Sequence, residues 1–138
     1  IIENFMSIKN GLEGEGIKFR SETDSEVIVN LLACNYNASQ NFVQALKTTL
    51  DLLEGTWGMV ILNLEEPNKL YCVRHGSPIL VSYNENFAMI ASEQAGFDNL
   101  VTNYFVLNNN DICEIERTNG KIMCTTNKSY SLKNLPFT

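Results

Sequence analysis

The stretch TWGMVILNL, residues 56–64, separates two parts of this chain that differ in apolar periodicity. It has no charged side chain and many β-strand-forming residues, which predicts a strand covered on both faces. Before it, apolar residues recur at helical intervals; after it, they occur in short runs between turn-forming residues. The chain is therefore predicted to be an α+β protein, with helices packed on largely antiparallel sheets.

Three helices are predicted on the amino-terminal side of this stretch. Their predicted bounds are residues 1–15, about Thr23 to Cys34, and residues 42–53. The third is clearly amphipathic, because its apolar residues recur at i, i+3, i+4 and i+7. The sequence also predicts a short strand at IKF (residues 17–19) and a polar turn at CNYNASQN (residues 34–41).

The rest of the chain is predicted to form consecutive antiparallel strands. The apolar runs are TWGMVILNL (56–64), KLYCVRH (69–75), PILVSY (78–83), FAMIASE (87–93), NYFVLN (103–108), DICEIER (111–117) and KIMCTT (121–126). The last two are joined by TNGK (118–121), whose Asn-Gly pair predicts a tight hairpin turn. Residues 94–102 are expected to be a helix or an irregular crossover.

Composition limits the possible partners. Ten basic and 16 acidic residues give a formal net charge of -6, without a stripe of Lys or Arg. This charge argues against nucleic acid and against an anionic membrane surface. No apolar run approaches the roughly 18 residues that a membrane-spanning helix needs, and IIENFMSIKN has no recognisable export signal. We therefore expect a cytoplasmic protein.

The four cysteines, Cys34, Cys72, Cys113 and Cys124, are widely spaced and never form a CxxC pair. Because His75 is the only histidine, no metal site is predicted, and no cofactor is expected. Four thiols are enough to form two disulfides. The favoured interpretation is nevertheless a buried, reduced thiol at each position, because a chain that fills its own core does not need disulfides.

The segment SETDSE, residues 21–26, marks the start of the second helix. Thr23 and Glu26 fit the capping box T-x-x-E, with Thr23 as the N-cap. Asp24 then falls in the first helical turn, where the positive end of the helix favours an ionised carboxylate. From these residues alone, Asp24 is interpreted as a helix-terminal charge.

Six separated blocks carry a resemblance to a known family. They are IIEN, SETDSEVI, LEGTWGMVIL, VRHGSPILV, FAMIASEQ and NNNDICEIE. In order and spacing they resemble the glutaminase domain of glutamine:fructose-6-phosphate aminotransferase, a class II glutamine amidotransferase. The resemblance runs from Ile1 to about Arg117. It implies part of the four-layer αββα sandwich of the N-terminal nucleophile hydrolases.

The resemblance also implies a division of the chain and a function. Residues 1–126 would be the latter part of a glutaminase domain, and residues 127–138 a tail or linker toward an absent isomerase domain. The parent enzyme would hydrolyse glutamine to glutamate and ammonia and use the ammonia to convert fructose-6-phosphate to glucosamine-6-phosphate. Glutamine would bind this domain and fructose-6-phosphate the absent one, and the parent is a possible homodimer.

The family's site residues are only partly represented. Its nucleophile is a cysteine at the mature amino terminus, where residue 1 here is Ile, and none of the four cysteines matches it. No catalytic residue is therefore expected in this chain, which should be inactive alone. Asp24 matches the family aspartate that binds the α-ammonium group of glutamine, with Thr23 and Glu26 supporting it through the helix cap.

Two alternatives remain open. The chain is alternatively a non-enzymatic remnant that acts as a binding or assembly module, or the glutaminase domain of another class II amidotransferase.

Three other conspicuous residues are given structural interpretations. We expect Trp57 to pack in the core, Arg74 to make an ion pair or backbone contact, and His75 to be a surface turn residue.

Overall fold

The computed structural model describes residues 1–135, which form two compact units. The first comprises residues 1–55 and the second begins at Thr56. The division therefore falls at the start of TWGMVILNL, where the sequence changes periodicity. The first unit contains all three α-helices, and the described part of the second contains all eight strands.

The first unit consists of α1 (Phe5–Gly14), α2 (Asp24–Ser39) and α3 (Phe42–Leu52). Helices α2 and α3 pack together through an edge-to-face pair of Tyr36 and Phe42, whose ring centroids lie 5.3 Å apart. Asn41 caps α3, because its side chain accepts a 3.0 Å hydrogen bond from the backbone N–H of Gln44.

Two expectations for this unit are wrong. The segment IKF (residues 17–19) is not a strand, and the helix predicted to end at Cys34 continues to Ser39. Most of the predicted turn at residues 34–41 is therefore helical. Helix α2 ends at Gln40, which takes the left-handed conformation (φ 58°) and donates its N–H to the carbonyl of Tyr36.

The second unit contains two antiparallel four-stranded sheets. Their strands are β1 (Trp57–Ile61), β2 (Lys69–His75), β3 (Leu80–Tyr83), β4 (Ala88–Ala91), β5 (Asn103–Val106), β6 (Ile112–Thr118), β7 (Lys121–Thr126) and β8 (Lys133–Asn134). One sheet has the order β1-β2-β6-β7 and the other β4-β3-β5-β8. Residues 94–97 form a short 3-10 helix, one of the two outcomes expected for this crossover.

The two sheets pack face to face around one apolar cluster. Its buried members are Cys72, Ile79, Val81, Phe105, Leu107, Cys113 and Ile115. Five of them lie in strands of the two sheets, while Ile79 immediately precedes β3 and Leu107 immediately follows β5. The members from one segment are two residues apart, as the two-residue period of a strand requires. The far side of the second sheet has a smaller cluster formed by Leu80, Phe97 and Tyr104.

The predicted hairpin between β6 and β7 is confirmed. Thr118 pairs with Lys121, and the two residues between them have positive φ angles, 53° at Asn119 and 77° at Gly120. This combination is the one that an Asn-Gly turn adopts to match the twist of two antiparallel strands.

The tail after residue 126 also has structure in its described part. Strand β8 pairs with β5, and Tyr130 stacks on Phe105 with ring centroids 4.6 Å apart. Residues 127–135 therefore contact the second unit. The assignment of residues 127–138 as a linker to another domain stays a prediction, and Pro136–Thr138 lie outside the described residues.

Candidate functional site

Asp24 is the first residue of α2, where the sequence placed it. Its carboxylate is half-buried, and Oδ2 accepts a 3.1 Å hydrogen bond from the backbone N–H of Ile2. Within the described chain, Oδ1 accepts no hydrogen bond, and no Lys, Arg or His forms an ion pair with Asp24. One oxygen is thus fixed to the protein, while the other keeps its capacity to accept a hydrogen bond.

Ile2 is itself held in place by the end of the first unit. It forms an antiparallel bridge with Gly55, and the next N–H, from Glu3, donates to the carbonyl of Glu54 at 2.6 Å. Gly55 has φ 131°, and a Cβ there would collide with the carbonyl oxygen of Ile1. Glycine is thus required at position 55 for this close backbone approach.

Three sequence blocks therefore meet at one place. These are the first residues of the chain, the LEG segment after α3, and the start of α2 with Asp24. Asn4 strengthens the junction, because its side chain donates to the carbonyl of Leu52 at 2.8 Å and accepts from the N–H of Glu54 at 2.9 Å. The carboxylate of Asp24 is consequently positioned by contacts from residues far apart in sequence.

The capping box predicted for Thr23 and Glu26 is wrong in its hydrogen bonds. Thr23 is the N-cap residue, with φ -77° and ψ 146°, but its side chain makes no capping hydrogen bond. The carboxylate of Glu26 instead accepts from Arg20 N–H at 2.8 Å and from Ser21, through its N–H at 2.7 Å and its hydroxyl at 2.6 Å. The capping box predicts that the Glu26 carboxylate accepts a hydrogen bond from the N–H of Thr23. In the structure, three donors from Arg20 and Ser21 bind this carboxylate instead.

This arrangement changes the acidity of Glu26. Hydrogen bonds from the Ser21 hydroxyl and from the Arg20 N–H stabilise the charged form and hold the pKa of Glu26 below its usual value of 4.5. The stabilisation is present above the unfolded pKa and is lost as the pH falls through the lower folded pKa. Glu26 therefore joins the first turn of α2 to the loop at residues 20–21.

We predict that Ser21→Ala raises the pKa of Glu26 toward 4.5, because the substitution removes the hydroxyl donor with the largest effect. The pKa would be measured by following the Glu26 side-chain carboxyl by NMR as the pH is lowered. Ser25→Ala is the matched control, since Ser25 precedes Glu26 in the same turn and makes no hydrogen bond to it within the described residues. Equal effects of both substitutions would contradict the observed geometry.

The chemistry available to Asp24 follows from its surroundings. Asp24 lies in the first turn of a 16-residue helix, where the backbone dipoles present their positive end. An ammonium group that approaches Oδ1 would make a charge-assisted hydrogen bond without a change in the protonation of either partner. Oδ1 of Asp24 is therefore an available hydrogen-bond acceptor at the amino-terminal end of α2.

The cysteines occupy internal positions in the elements of the fold. Cys34 lies in α2, Cys72 in β2, Cys113 in β6 and Cys124 in β7, and all four are free thiols. Cys72 and Cys113 are buried, as predicted. The prediction of burial is wrong for Cys34 and Cys124, which are half-buried.

The structural interpretations of Arg74 and Trp57 are confirmed. The guanidinium of Arg74 donates to three backbone carbonyls, through Nε to Ser77 at 2.7 Å, Nη1 to Leu107 at 3.0 Å and Nη2 to Gly76 at 3.1 Å. Trp57 is only 7% exposed. His75 stacks on Trp57 at 5.1 Å, and its Nδ1 lies 3.2 Å from the Asn110 side-chain oxygen, so it is partly buried instead of a free turn residue.

Sequence reasoning missed one buried polar group, Asp111, which is 3% exposed. Its Oδ1 accepts from Ile112 N–H at 2.8 Å and from Asn127 N–H at 3.2 Å, and its Oδ2 accepts from the Tyr130 hydroxyl. Burial and this carboxylate raise the pKa of Tyr130 to about 12. The available signal was an acidic residue directly before the apolar pair Ile112 and Cys113 that begins β6, where a buried charge requires partners.

Residues 1–135 contain neither a metal-binding cluster nor a helix able to cross a membrane. No three His, Cys, Asp or Glu side chains in this range are grouped so that they could hold a metal ion. None of the helices in this range has both the length and the apolar composition needed to cross a membrane.

Comparison with known families gives a match over most of the chain. Residues 1–99 match the family described as "Glutamine amidotransferase domain". The matched range contains both Asp24 and the Ile2–Gly55 junction that positions it.

Individual relatives extend this match. The chain is 36% identical over 115 residues to glutamine--fructose-6-phosphate aminotransferase [isomerizing] of Aquifex aeolicus, covering 83% of this chain and 19% of the relative. It is 36% identical to a probable enzyme of the same name from Acanthamoeba polyphaga mimivirus, covering 96% of this chain and 22% of the relative. The Thermococcus kodakarensis enzyme of the same name is 40% identical over 97 residues, which cover 70% of this chain and 16% of the relative. The chain thus spans about a fifth of the length of these relatives.

A solved structure shows the same fold. Glutamine phosphoribosylpyrophosphate amidotransferase from B. subtilis superposes with a TM-score of 0.74 at 19% sequence identity, covering 90% of this chain and 27% of that one. At this identity the likeness concerns the fold alone. It confirms the predicted α+β sandwich class.

Proposed function

The chain belongs to the glutamine amidotransferase domain family, and we propose that it is the latter part of a glutaminase domain whose parent enzyme hydrolyses glutamine to glutamate and ammonia. The observation that carries this proposal is the carboxylate of Asp24. It is fixed through Oδ2 to Ile2 N–H, has Oδ1 available, and lies at the positive end of α2. The family match covers all of these residues.

Within this proposal, Asp24 binds the α-ammonium group of glutamine. The ammonium meets Oδ1, while the Ile2 N–H bond to Oδ2 keeps the carboxylate from rotating away. Thr23 and Glu26 are positioning residues, because they shape the start of α2 and contact no substrate. Their effect on binding is therefore expected to be smaller than that of Asp24.

The ammonia acceptor is proposed to be fructose-6-phosphate, with glucosamine-6-phosphate as the product. Support comes from the Aquifex aeolicus and mimivirus relatives, which carry the name of that aminotransferase and are about five times longer than the region matched. Fructose-6-phosphate would then bind outside residues 1–126, and residues 127–138 would lead toward that second domain. A homodimeric parent and a cytoplasmic location belong to the same proposal, and four free thiols agree with a reducing compartment.

Residues 1–138 alone are proposed to lack glutaminase activity. The four cysteines lie inside α2, β2, β6 and β7, and none has an α-amino group of its own to serve as base. A terminal cysteine combines nucleophile and base in one residue, which is the chemistry that this family resemblance requires. The nucleophile would therefore have to come from sequence outside this chain.

The test compares the 138-residue chain with the complete polypeptide encoded by its gene. Each would be incubated with glutamine labelled in the side-chain amide, and released glutamate and labelled ammonia would be measured. We expect turnover only from the complete polypeptide, with glucosamine-6-phosphate formed when fructose-6-phosphate is added. Glutamine hydrolysis by residues 1–138 would contradict the assignment of the nucleophile, and a complete polypeptide without any hydrolysis would favour a non-enzymatic module.

A further inference from the structure

Three cysteine thiols lie side by side across neighbouring strands of the first sheet. Cys72 in β2 is the direct cross-strand partner of Cys113 in β6. The Sγ atoms of Cys113 and Cys124 lie 3.4 Å apart, although β7 places Cys124 opposite Ile115. Cys113 and Cys124 are therefore diagonal neighbours on one face of the β6–β7 hairpin. The proposed glutaminase function uses none of these thiols.

The three thiols differ in their access to solvent. Cys72 and Cys113 are both 0% exposed. Cys124 is half-buried and lines a surface cavity of about 490 Å³, whose wall includes Phe105, Tyr130 and Leu132. A small dissolved oxidant can therefore reach Cys124 without opening the core, whereas the other two thiols are shielded.

The two close thiols also differ in acidity. The hydrogen bond from the Cys113 thiol stabilises a thiolate on Cys124 and lowers the pKa of Cys124, against the opposing effect of burial. The pKa of Cys113 is raised by its contacts with Cys124 and Cys72 and by burial. The first proton therefore leaves the more accessible sulfur. Reactivity of a thiol toward oxidants follows its thiolate character and its exposure.

We propose that Cys124 is a site of oxidative modification by peroxide and that Cys113 is the resolving thiol that converts the oxidised Cys124 into an intrachain disulfide. The geometry supports both steps. Cys124 lines the cavity, and the Cys113 sulfur is already at van der Waals contact with the Cys124 sulfur. Strand β7 is the last strand of its sheet, so only its ladder with β6 has to adjust.

The chemistry balances in two steps. The Cys124 thiolate attacks one oxygen of hydrogen peroxide, the O–O bond breaks, and the products are a sulfenic acid on Cys124 and hydroxide, which takes up a proton to become water. The Cys113 sulfur then attacks the Cys124 sulfur, the S–O bond breaks, and the departing hydroxide takes the Cys113 proton to leave as water. Together the two thiols lose two protons and two electrons, and one peroxide is reduced to two waters.

The second step requires a modest movement. The sulfur atoms have to approach from 3.4 Å to about 2.05 Å, the length of a disulfide bond. Diagonal cross-strand residues are typically about 7 to 8 Å apart, at the upper limit for a disulfide, so closure requires a shift of the edge strand β7 together with rotation of both side chains. Cys72 is less suited as the partner of Cys124, because β6 lies between their strands.

The test maps disulfides in the native protein, using the complete polypeptide after anaerobic removal of reductant. Graded hydrogen peroxide is added, the reaction is quenched with acid, remaining thiols are blocked with N-ethylmaleimide, and the unreduced digest is analysed by mass spectrometry. We expect linked peptides containing Cys113 and Cys124, with a mass loss of two hydrogens that dithiothreitol reverses. Cys34 is the internal control. Like Cys124 it is half-buried, but residues 1–55 contain no second cysteine that could act as its resolving thiol.

Two variants assign the roles. Cys113→Ser should leave Cys124 as a sulfenic acid that dimedone labels, and Cys124→Ser should abolish the cross-link while Cys113 stays reduced. The proposal is overturned if wild-type Cys124 oxidises no faster than Cys34, if it overoxidises without a cross-link, or if the link joins Cys72 to Cys113. The wild-type map decides these outcomes even if a variant does not fold. Because the readout is mass, it is independent of glutaminase activity.

Discussion

Asp24→Asn in the complete enzyme should raise the KM for glutamine by about 10-fold to 100-fold, with a much smaller change in kcat. The range corresponds to the loss of about 1.5 to 3 kcal/mol from a hydrogen bond between charged groups. Asparagine keeps an oxygen that can accept the Ile2 N–H bond, so the local fold is retained while the charge is removed. The KM would be determined from initial rates of glutamate release.

A second substrate separates ligand binding from a structural effect. A glutamine analogue without the α-amino group should be a poor substrate of the wild-type enzyme, and Asp24→Asn should not weaken its binding further. Asp51→Asn is the matched control, because Asp51 is an exposed aspartate in α3 of the same unit. If Asp24→Asn weakens binding of both substrates equally, or leaves the KM for glutamine unchanged, Asp24 does not bind the ammonium group.

Asp24→Ala tests how much the hydrogen bond from Ile2 N–H to Asp24 contributes to stability. Alanine removes both the charge and the acceptor for Ile2 N–H, and Ile2 is only 2% exposed. We expect this variant to lose stability as well as glutamine affinity, because a buried N–H without a partner costs about 1 to 3 kcal/mol. The difference in urea midpoint between Asp24→Ala and Asp24→Asn measures that contribution separately from ligand binding.

Arg74→Ala should destabilise the chain by about 2 to 4 kcal/mol, the largest stability effect that we expect from a single polar substitution. Its guanidinium donates to the carbonyls of Ser77, Gly76 and Leu107. Each charge-assisted bond contributes about 1.5 to 3 kcal/mol, but neighbouring bonds are not additive. Urea unfolding would measure the loss as a lower midpoint at an unchanged m-value.

Two controls make the Arg74 result specific. Arg74→Lys keeps the charge but not the planar fork that reaches three carbonyls, so we expect it to recover only part of the lost stability. Arg117→Ala removes an exposed arginine from β6 and should change stability by less than about 0.5 kcal/mol. Similar losses from Arg74→Ala and Arg117→Ala would show that the carbonyl contacts of Arg74 contribute little.

The positions of the strands were predictable because their signals are local. The prediction that TWGMVILNL is covered on both faces is wrong, because β1 is an edge strand in which Gly58 and Val60 are exposed. Alternating apolar residues and intervening turn residues are read within a few positions, and TNGK defines its own hairpin through the positive φ angles of Asn119 and Gly120. The segment IKF has the composition of a strand as well. A strand also needs a partner, however, and nothing local in the sequence shows that these residues have none in the first unit.

The length of α2 was not predictable from propensity. Asn and Ser residues between Cys34 and Gln40 favour turns, yet they remain helical because α3 stabilises this part of the helix. The Asn35 side chain donates to Thr49 Oγ1 at 2.9 Å, and Tyr36 packs on Phe42. Such contacts override weak local preferences and can be seen only once the two helices are assembled.

The site was predictable in position and not in geometry. The pattern T-D-S-E correctly placed Asp24 in the first turn of α2. The hydrogen bond from Ile2 joins residues 22 positions apart, so no local pattern contains it. The capping-box motif T-x-x-E pairs Glu26 with the N–H of Thr23 only. In the folded loop, three donors from Arg20 and Ser21 are better placed to bind the Glu26 carboxylate.

The hydrogen bond from Tyr130 to Asp111 restricts the movement of residues 127–135. With Tyr130 hydrogen-bonded to a buried carboxylate and β8 paired with β5, residues 127–135 do not act as a free tether. Nine free extended residues would reach about 30 Å from their attachment point, whereas this segment is held against β5 and Asp111.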